Sequence, residues 1–227
     1  MQRVDAPEIL DSDECSAADR EATLLDIGRV NRWFGGVATT QKMVERVARY
    51  CGSKHFSFLE VAAGSGELPA IVRQRLAQRG IELDVTLLDR QRFHLPNQKR
   101  SIAADALALP FRDNAFDLIS CSLFVHHLPP EQVGEFVREA VRVCRRAVLI
   151  NDLIRDPLHL ALAYAGYPIM RSRVAWLDGL TSVRRAYVPD EIRSLLASVL
   201  TPTRARVEIS SNYLFRMGVI VWKKAAQ

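Results

Sequence analysis

Apolar positions along the chain change period several times, and each change marks an element. From Ser16 the string SAADREATLLDIGRVNRWFGG places Leu24, Ile27, Val30 and Phe34 at helical spacing and stops at Gly35 and Gly36, which predicts a helix with a glycine C-terminus. A second helix over 41–50 ends at Gly52. HFSFLEVA, 55–62, has buried-strand character; a glycine turn follows, then ELPAIVRQRLAQRG, whose Leu68, Ile71, Val72 and Leu76 are helical in spacing. IELDVTLLD (81–89) predicts a strand, FHLPNQKR a weak helix, SIAADA a short strand and FDLISCSLF (116–124) another buried strand. Residues 131–144 carry an amphipathic helical pattern, RAVLIND (146–152) a strand, DPLHLALAYAGYPIM an apolar helix and 190–200 a helix after Pro189. RARVEIS (204–210) and NYLFRMGVIVWKK (212–224) predict two closing strands.

Strands alternating with helices imply parallel strands joined by right-handed crossovers. The expected fold class is therefore α/β: a doubly wound, Rossmann-like sheet, mostly parallel, with an antiparallel C-terminal strand and helices on both faces. The 227 residues, 48% hydrophobic and 25% charged, suit one continuous core. The net charge of +5 is uneven: residues 1–21 hold seven acids and two bases, a −5 segment on a +10 body. No basic run exceeds two residues, which fits a solvated surface better than a nucleic-acid patch. Cys15, Cys51, Cys121 and Cys144 show neither CxxC nor CxH spacing, so no metal site and no disulfide framework is expected. Nothing resembles an export signal, and the richest apolar run, 157–170, is too short to span a bilayer. A cytoplasmic protein without a membrane span is expected.

In doubly wound sheets ligands bind beyond the carboxyl ends of the strands, near the point where strand order reverses. EVAAGSGELP puts Glu60, Ala62, Gly64, Ser65 and Gly66 at the first such end, where glycines let the backbone turn tightly and approach a ligand. Asp89 closes the second strand, 23 residues after Gly66, at a position suited to accept both hydroxyls of a ribose. Asp105, in AADALALPF after the third strand, is placed to accept an adenine amino group. Each feature alone also fits a plain turn or cap. A dinucleotide is disfavoured, because Pro69 stands where a third small residue is needed and Glu67 would repel a pyrophosphate. Glu60 and Glu67 suit a cationic cofactor instead.

EVAAGSGE resembles motif I of class I S-adenosylmethionine-dependent methyltransferases, TLLDR their ribose-binding strand end, AADALALPF their adenine-contacting segment, and FDLISCSLFVHHL their fourth strand and its loop. The resemblance covers 55–152 and is nearest to the small-molecule branch, including ubiquinone and menaquinone biosynthesis methyltransferases and polyketide-associated ones. It implies S-adenosylmethionine as cofactor and S-adenosylhomocysteine as product. It further implies that Glu60 organises the loop and the methionine ammonium, Ala62, Gly64 and Gly66 let the cofactor lie on the loop, and Asp89 holds the ribose with Arg90 flanking the adenine. Asp105 and the Ala106 amide would read the adenine edge, and Ser120 and Cys121 would line the methionine side. Glu60 departs from the Asp, and Ala62 and Ala63 from the Gly or Cys, of many members.

The patterning makes residues 1–18 an acidic leader, disordered or loosely docked, and the resemblance implies a helical lid over 19–54 and the cofactor-binding domain over 55–227 with a lid insertion at about 156–188. Trp33, Phe34, Phe124, Tyr164, Tyr167, Met170 and Trp176 fall in the lid segments and imply an apolar, partly aromatic substrate pocket. An oxygen nucleophile needs a base, and His126 or His127 is the candidate, with His159 in reserve and His55 and His94 read as surface residues. The chain has SCSLF where amino-directed base methyltransferases carry an Asn/Asp-Pro-Pro-aromatic sequence, so a nucleic-acid substrate is not expected. The expected reaction is O-methylation of a phenol, quinol or polyketide-like hydroxyl by a monomer or homodimer. C-methylation of a quinone precursor, RNA methylation and non-catalytic cofactor binding are the alternatives.

Overall fold

A computed structural model describes residues 1–11, 15–96, 100–200 and 205–224. A seven-stranded sheet in the order β3-β2-β1-β4-β5-β7-β6 forms the centre. Its strands are β1 (His55–Val61), β2 (Glu82–Asp89), β3 (Ser101–Ala103), β4 (Phe116–Ser122), β5 (Cys144–Leu153), β6 (Ala205–Asn212) and β7 (Arg216–Lys223). β1 to β5 pair in parallel, and β7 runs antiparallel to both β5 and β6. Strand order reverses between β1 and β4, which places the ligand crevice at their carboxyl ends.

Side chains alternate along each strand, and the alternation builds two cores. Phe56, Phe58, Leu118, Leu149 and Trp222 pack with α2 (Gly36–Cys51) and α3 (Glu67–Ala77) on one face. Leu59, Val61, Ile119, Val148, Ile150 and Val221 pack with α4 (Pro130–Val143) and α7 (Pro189–Val199) on the other. Between β5 and α7 stand α5 (Pro157–Ala165), a 3-10 turn Tyr167–Ile169 and α6 (Arg173–Arg185). The weak helix expected in FHLPNQKR is a single 3-10 turn, Arg92–His94; residues 97–99 and the first expected residue of the closing strand pair, 204, lie outside the described residues.

α1 (Ala17–Trp33) departs from the apolar-stripe reading. Ser16 caps it by accepting the Asp19 amide, but its buried side chains are Thr23, Asp26 and Asn31. Asp26 accepts the Arg171 and Ser172 amides, both at 2.8 Å, Thr23 Oγ1 meets Ser172 Oγ at 3.0 Å, and Asn31 accepts from Arg216. The helix reaches the insertion by polar contacts, while Leu24 approaches Gly64 and Val30 faces Ile169 and Met170 of the insertion. In the leader, residues 1–11 make defined contacts, and residues 12–14 lie outside the described residues. Asp178 on α6 accepts the Ile9 and Leu10 amides at 2.7 and 2.9 Å. Arg3 donates to the carbonyls of Arg185, His126 and Leu128.

Candidate active site

Glu60 pairs in register with Ser120 across the reversal point, and even-numbered residues of β1 and β4 share one face. Its carboxyl is 2% exposed, and its Oε2, with Ser120 Oγ and Ser122 Oγ, is buried without a hydrogen-bond partner among the described residues. Burial pushes the Glu60 carboxyl up to about 7 despite the pull of the two serines. The two serine hydroxyls are close enough to Glu60 to lower its carboxyl but do not reach it in hydrogen-bond geometry, so the three oxygens at two adjoining strand ends have room for a further donor.

The loop that follows turns through left-handed backbone at Ala62 (φ 53°), Gly64 (φ 53°) and Gly66 (φ 71°). A Cβ on Gly66 would meet Leu87 Cδ1 at 2.5 Å, so that glycine serves close packing on β2. A Cβ on Gly64 would meet only Leu24 Cδ2, at 3.9 Å, so the Gly64 backbone is open to a ligand. Asp89 fixes the loop: one carboxylate oxygen accepts the Gly64 amide and the other the Gln91 amide, both at 2.9 Å. His94 Nδ1 lies 3.4 Å from the same Asp89 carboxylate. Burial would raise the Asp89 carboxyl, but His94 and the two amides outweigh it and hold it below the usual carboxylate range.

His94 is therefore no surface residue, contrary to the sequence reading; its Nε2 is buried and unpartnered among the described residues. A cleft of about 370 Å³ lies beside the loop, lined by Ala17, Arg20, Leu24, Ser65, Glu67 and Phe93 among others, within the size range of small-ligand sites. Arg20 lies over the Phe93 ring at 4.5 Å from its centroid. Sequence reasoning missed His94 and Phe93; their only signal was position, a few residues beyond Asp89. Asp105 is exposed and accepts the Leu107 amide at 2.9 Å, with Ala106 buried beside it and Arg90 exposed.

Three expectations need correction. Cys121 does not line the crevice: one residue past Ser120 it points to the opposite face, into the α4 core, where burial and the nearby Glu60 and Asp152 raise its thiol well above the usual range. Glu67 is not a bare charge at the turn, because Arg32 of α1 holds it at 2.6 Å. His126 is not a free base. It is 2% exposed, Asp152 Oδ1 holds its Nδ1 at 2.6 Å, and Glu8 Oε1 lies 3.5 Å from its Nε2. Burial would lower the imidazole, but Asp152 and Glu8 push it up to about 9, so it is cationic at neutral pH. His127 Nε2 lies 3.7 Å from the same Glu8 carboxylate. Asp152 lies on the α4 face of β5, opposite to Glu60, so the strands separate this histidine group from the donor-seeking oxygens.

His159 has a different environment. Its Nδ1 lies 2.9 Å from the Ile154 carbonyl, its ring stacks on Phe215 at 4.9 Å, and burial holds it below the usual imidazole range. A carbonyl only accepts, so the hydrogen resides on Nδ1 and Nε2 keeps its lone pair. Trp33 and Phe34 are exposed and meet Ile169 and Met170 around a small hollow between α1 and the insertion. Tyr164 is exposed and packs edge-on to Trp176, whereas Phe124 packs on Phe136 at the edge of the α4 core.

Residues 59–150 match a family described as a methyltransferase domain. Over 101 residues, 39% of this chain, the sequence is 28% identical to the ubiquinone/menaquinone biosynthesis C-methyltransferase UbiE of Rickettsia prowazekii, and the match spans 40% of that protein's length. The plantazolicin methyltransferase BpumL, solved with a desmethyl plantazolicin analog and S-adenosylhomocysteine, superposes with TM-score 0.70 at 13% identity, covering 92% of this chain and 91% of that one. An O-methyltransferase family 2 protein from Planctomyces limnophilus, in complex with apigenin, superposes with TM-score 0.60 at 17% identity over 93% of this chain and 63% of its own. The point where strand order reverses and the glycine loop set on Asp89 thus fall in the stretch that is similar to a methyltransferase domain family, residues 59–150.

Proposed function

We propose that this chain transfers a methyl group from S-adenosylmethionine to a small apolar or aromatic molecule, as an O-methyltransferase of a phenol, quinol or polyketide-like hydroxyl. The observation that carries the reading is the set of unpartnered buried oxygens on Glu60, Ser120 and Ser122 beside an open glycine loop. An ammonium brings three N–H donors to the Glu60 carboxyl and the two serine hydroxyls, and the carboxylate at its side offsets the charge. Asp89 already accepts three contacts, and a carboxylate offers about four acceptor positions, so one remains for a ribose hydroxyl. Asp105 and the Ala106 amide would read the adenine edge, with Phe93 and Arg90 flanking the ring.

Once bound, the cofactor supplies an electrophilic methyl on a sulfonium. The chain's own work is to orient the acceptor, exclude water and take one proton. Holding the acceptor about 3 Å from the methyl accounts for several kcal/mol of the barrier by positioning alone. His159, neutral and with Nε2 as acceptor, is the group we assign to remove the hydroxyl proton, in place of His126 and His127. α5 buries none of its residues and presents Leu158, Leu162 and Tyr164 outward, which supports a lid that closes over the substrate with Trp33 and Phe34.

A second reading is methyl transfer to ring carbon, favoured by the relative whose name is that of a C-methyltransferase. Incubation with methyl-labelled cofactor and a panel of phenols, quinols and bulk RNA separates the cases. Label on oxygen of a phenol or quinol supports the proposal, and label on ring carbon supports the second reading. Label in RNA alone, or none with the cofactor bound, overturns both.

A further inference from the structure

We propose that Glu8, His126 and His127 form a binding site for a divalent transition metal of the zinc class, which fastens the leader to the loop after β4. Among the described residues, one ligand atom from each of the three lies within 4.8 Å of the others. Glu8 Oε1 is 3.5 Å from His126 Nε2, and Glu8 Oε2 is 3.7 Å from His127 Nε2. A charge-assisted N–H···O bond closes to about 2.7–2.9 Å, so these separations are too long for one. With one oxygen taken from Glu8, the three ligand atoms lie within 4.8 Å of one another, so side-chain adjustments of about 1 Å bring them to the edge of a tetrahedron with metal–ligand bonds of about 2.0–2.1 Å. His126 Nε2 is fully buried and has no hydrogen-bond partner among the described residues, although a carboxylate faces it.

The surroundings are those of an oriented metal ligand. Asp152 Oδ1 accepts from His126 Nδ1 at 2.6 Å and also holds the turn, as its other oxygen accepts the His126 amide at 3.1 Å. A carboxylate behind an imidazole in this way fixes the tautomer and leaves Nε2 for the metal. Ser182 Oγ donates to Glu8 Oε1 at 2.7 Å and orients the third ligand. Two imidazoles and a carboxylate suit zinc, cobalt or nickel rather than magnesium or calcium. His127 is 24% exposed, so a water molecule can complete the coordination from the solvent side. As the metal binds, the Nε2 proton of His126 leaves to solvent.

Sequence spacing could not reveal the group, because His126 and His127 are neighbours and Glu8 is more than a hundred residues away. The test uses the full chain after chelator treatment, titrated with zinc chloride by calorimetry and by competition with a chromophoric chelator. Amide exchange of residues 1–11 is followed in parallel. One equivalent is expected to bind with micromolar or tighter affinity, to slow exchange across 1–11, and to weaken at least tenfold in both Glu8→Gln and His127→Ala. His127 is the least buried of the three, so His127→Ala tests the site if a change at Glu8 loosens the leader. No binding up to 100-fold above the protein concentration, or binding unchanged in both variants, overturns the proposal. Neither readout depends on methyl transfer, so the result is independent of the proposed activity.

Discussion

Asp89 accepts the backbone amide of Gly64 at 2.9 Å, so the residue that ends β2 sets the conformation of the loop that ends β1. The carboxylate holds the loop, and in the proposed cofactor complex its remaining acceptor would take a ribose hydroxyl. Asp89→Asn keeps the shape but loses the charge and one acceptor. Cofactor affinity should fall about 10- to 100-fold, equivalent to about 1.4–2.7 kcal/mol, by calorimetric titration. A change under twofold would remove Asp89 from the binding site.

The two loop glycines should respond differently to alanine. Both have positive φ, but a methyl on Gly66 meets Leu87 at 2.5 Å while one on Gly64 has room. Gly64→Ala should cost about 1–2 kcal/mol of stability, the strain of left-handed backbone alone. Gly66→Ala should cost about 1–3 kcal/mol more, since β2 must shift. Urea denaturation measures both, and equal losses would contradict the packing role of Gly66.

Glu60 couples pH to both stability and binding. Its folded value of about 7 lies above the usual carboxyl value of 4.5, so the folded state holds a proton that the unfolded chain has released. That stabilisation is fully present below 4.5 and is lost as pH rises through 7. Glu60→Gln should therefore stabilise the empty protein at pH 8, by roughly 1–3 kcal/mol, while weakening the cofactor. In the parent chain a cationic cofactor should drive a proton off Glu60 near neutral pH. Calorimetry in buffers of different ionisation enthalpy should detect up to one proton released, and a buffer-independent heat would contradict the Glu60–ammonium contact.

His159→Gln tests the base. Turnover should fall about 10²- to 10⁴-fold with little change in KM for the cofactor, and the acidic limb of the pH–rate profile should disappear. Parent-like turnover would return the search for the base to other groups at the strand ends.

The sheet was legible because buried parallel strands are short apolar runs and the crossover helices have clean periodicity, as in FDLISCSLF and 131–144. Gly64, Gly66 and Asp89 were legible because a tight turn and a strand-end carboxylate are local properties. Thr23, Asp26 and Asn31 were not, since a helix whose buried side is polar carries no apolar stripe facing the core, and their partners Ser172 and Arg216 are distant in sequence. The same holds for His126: adjacency to His127 was visible, but Asp152 and Glu8, which make it a cation, are brought in only by the fold. Cys121 failed on a single-residue alternation, which decides the face but is easily overlooked in a run of apolar neighbours.

The clasp of Asp178 on the Ile9 and Leu10 amides has a consequence for biosynthesis. Those amides and the carboxylate that receives them are 169 and 168 residues apart, so Ile9 and Leu10 leave the ribosome long before their receptor exists. Contacts of such sequence separation close slowly. This segment is then among the last parts to settle, and a nascent protein stalled ahead of α6 would carry it undocked.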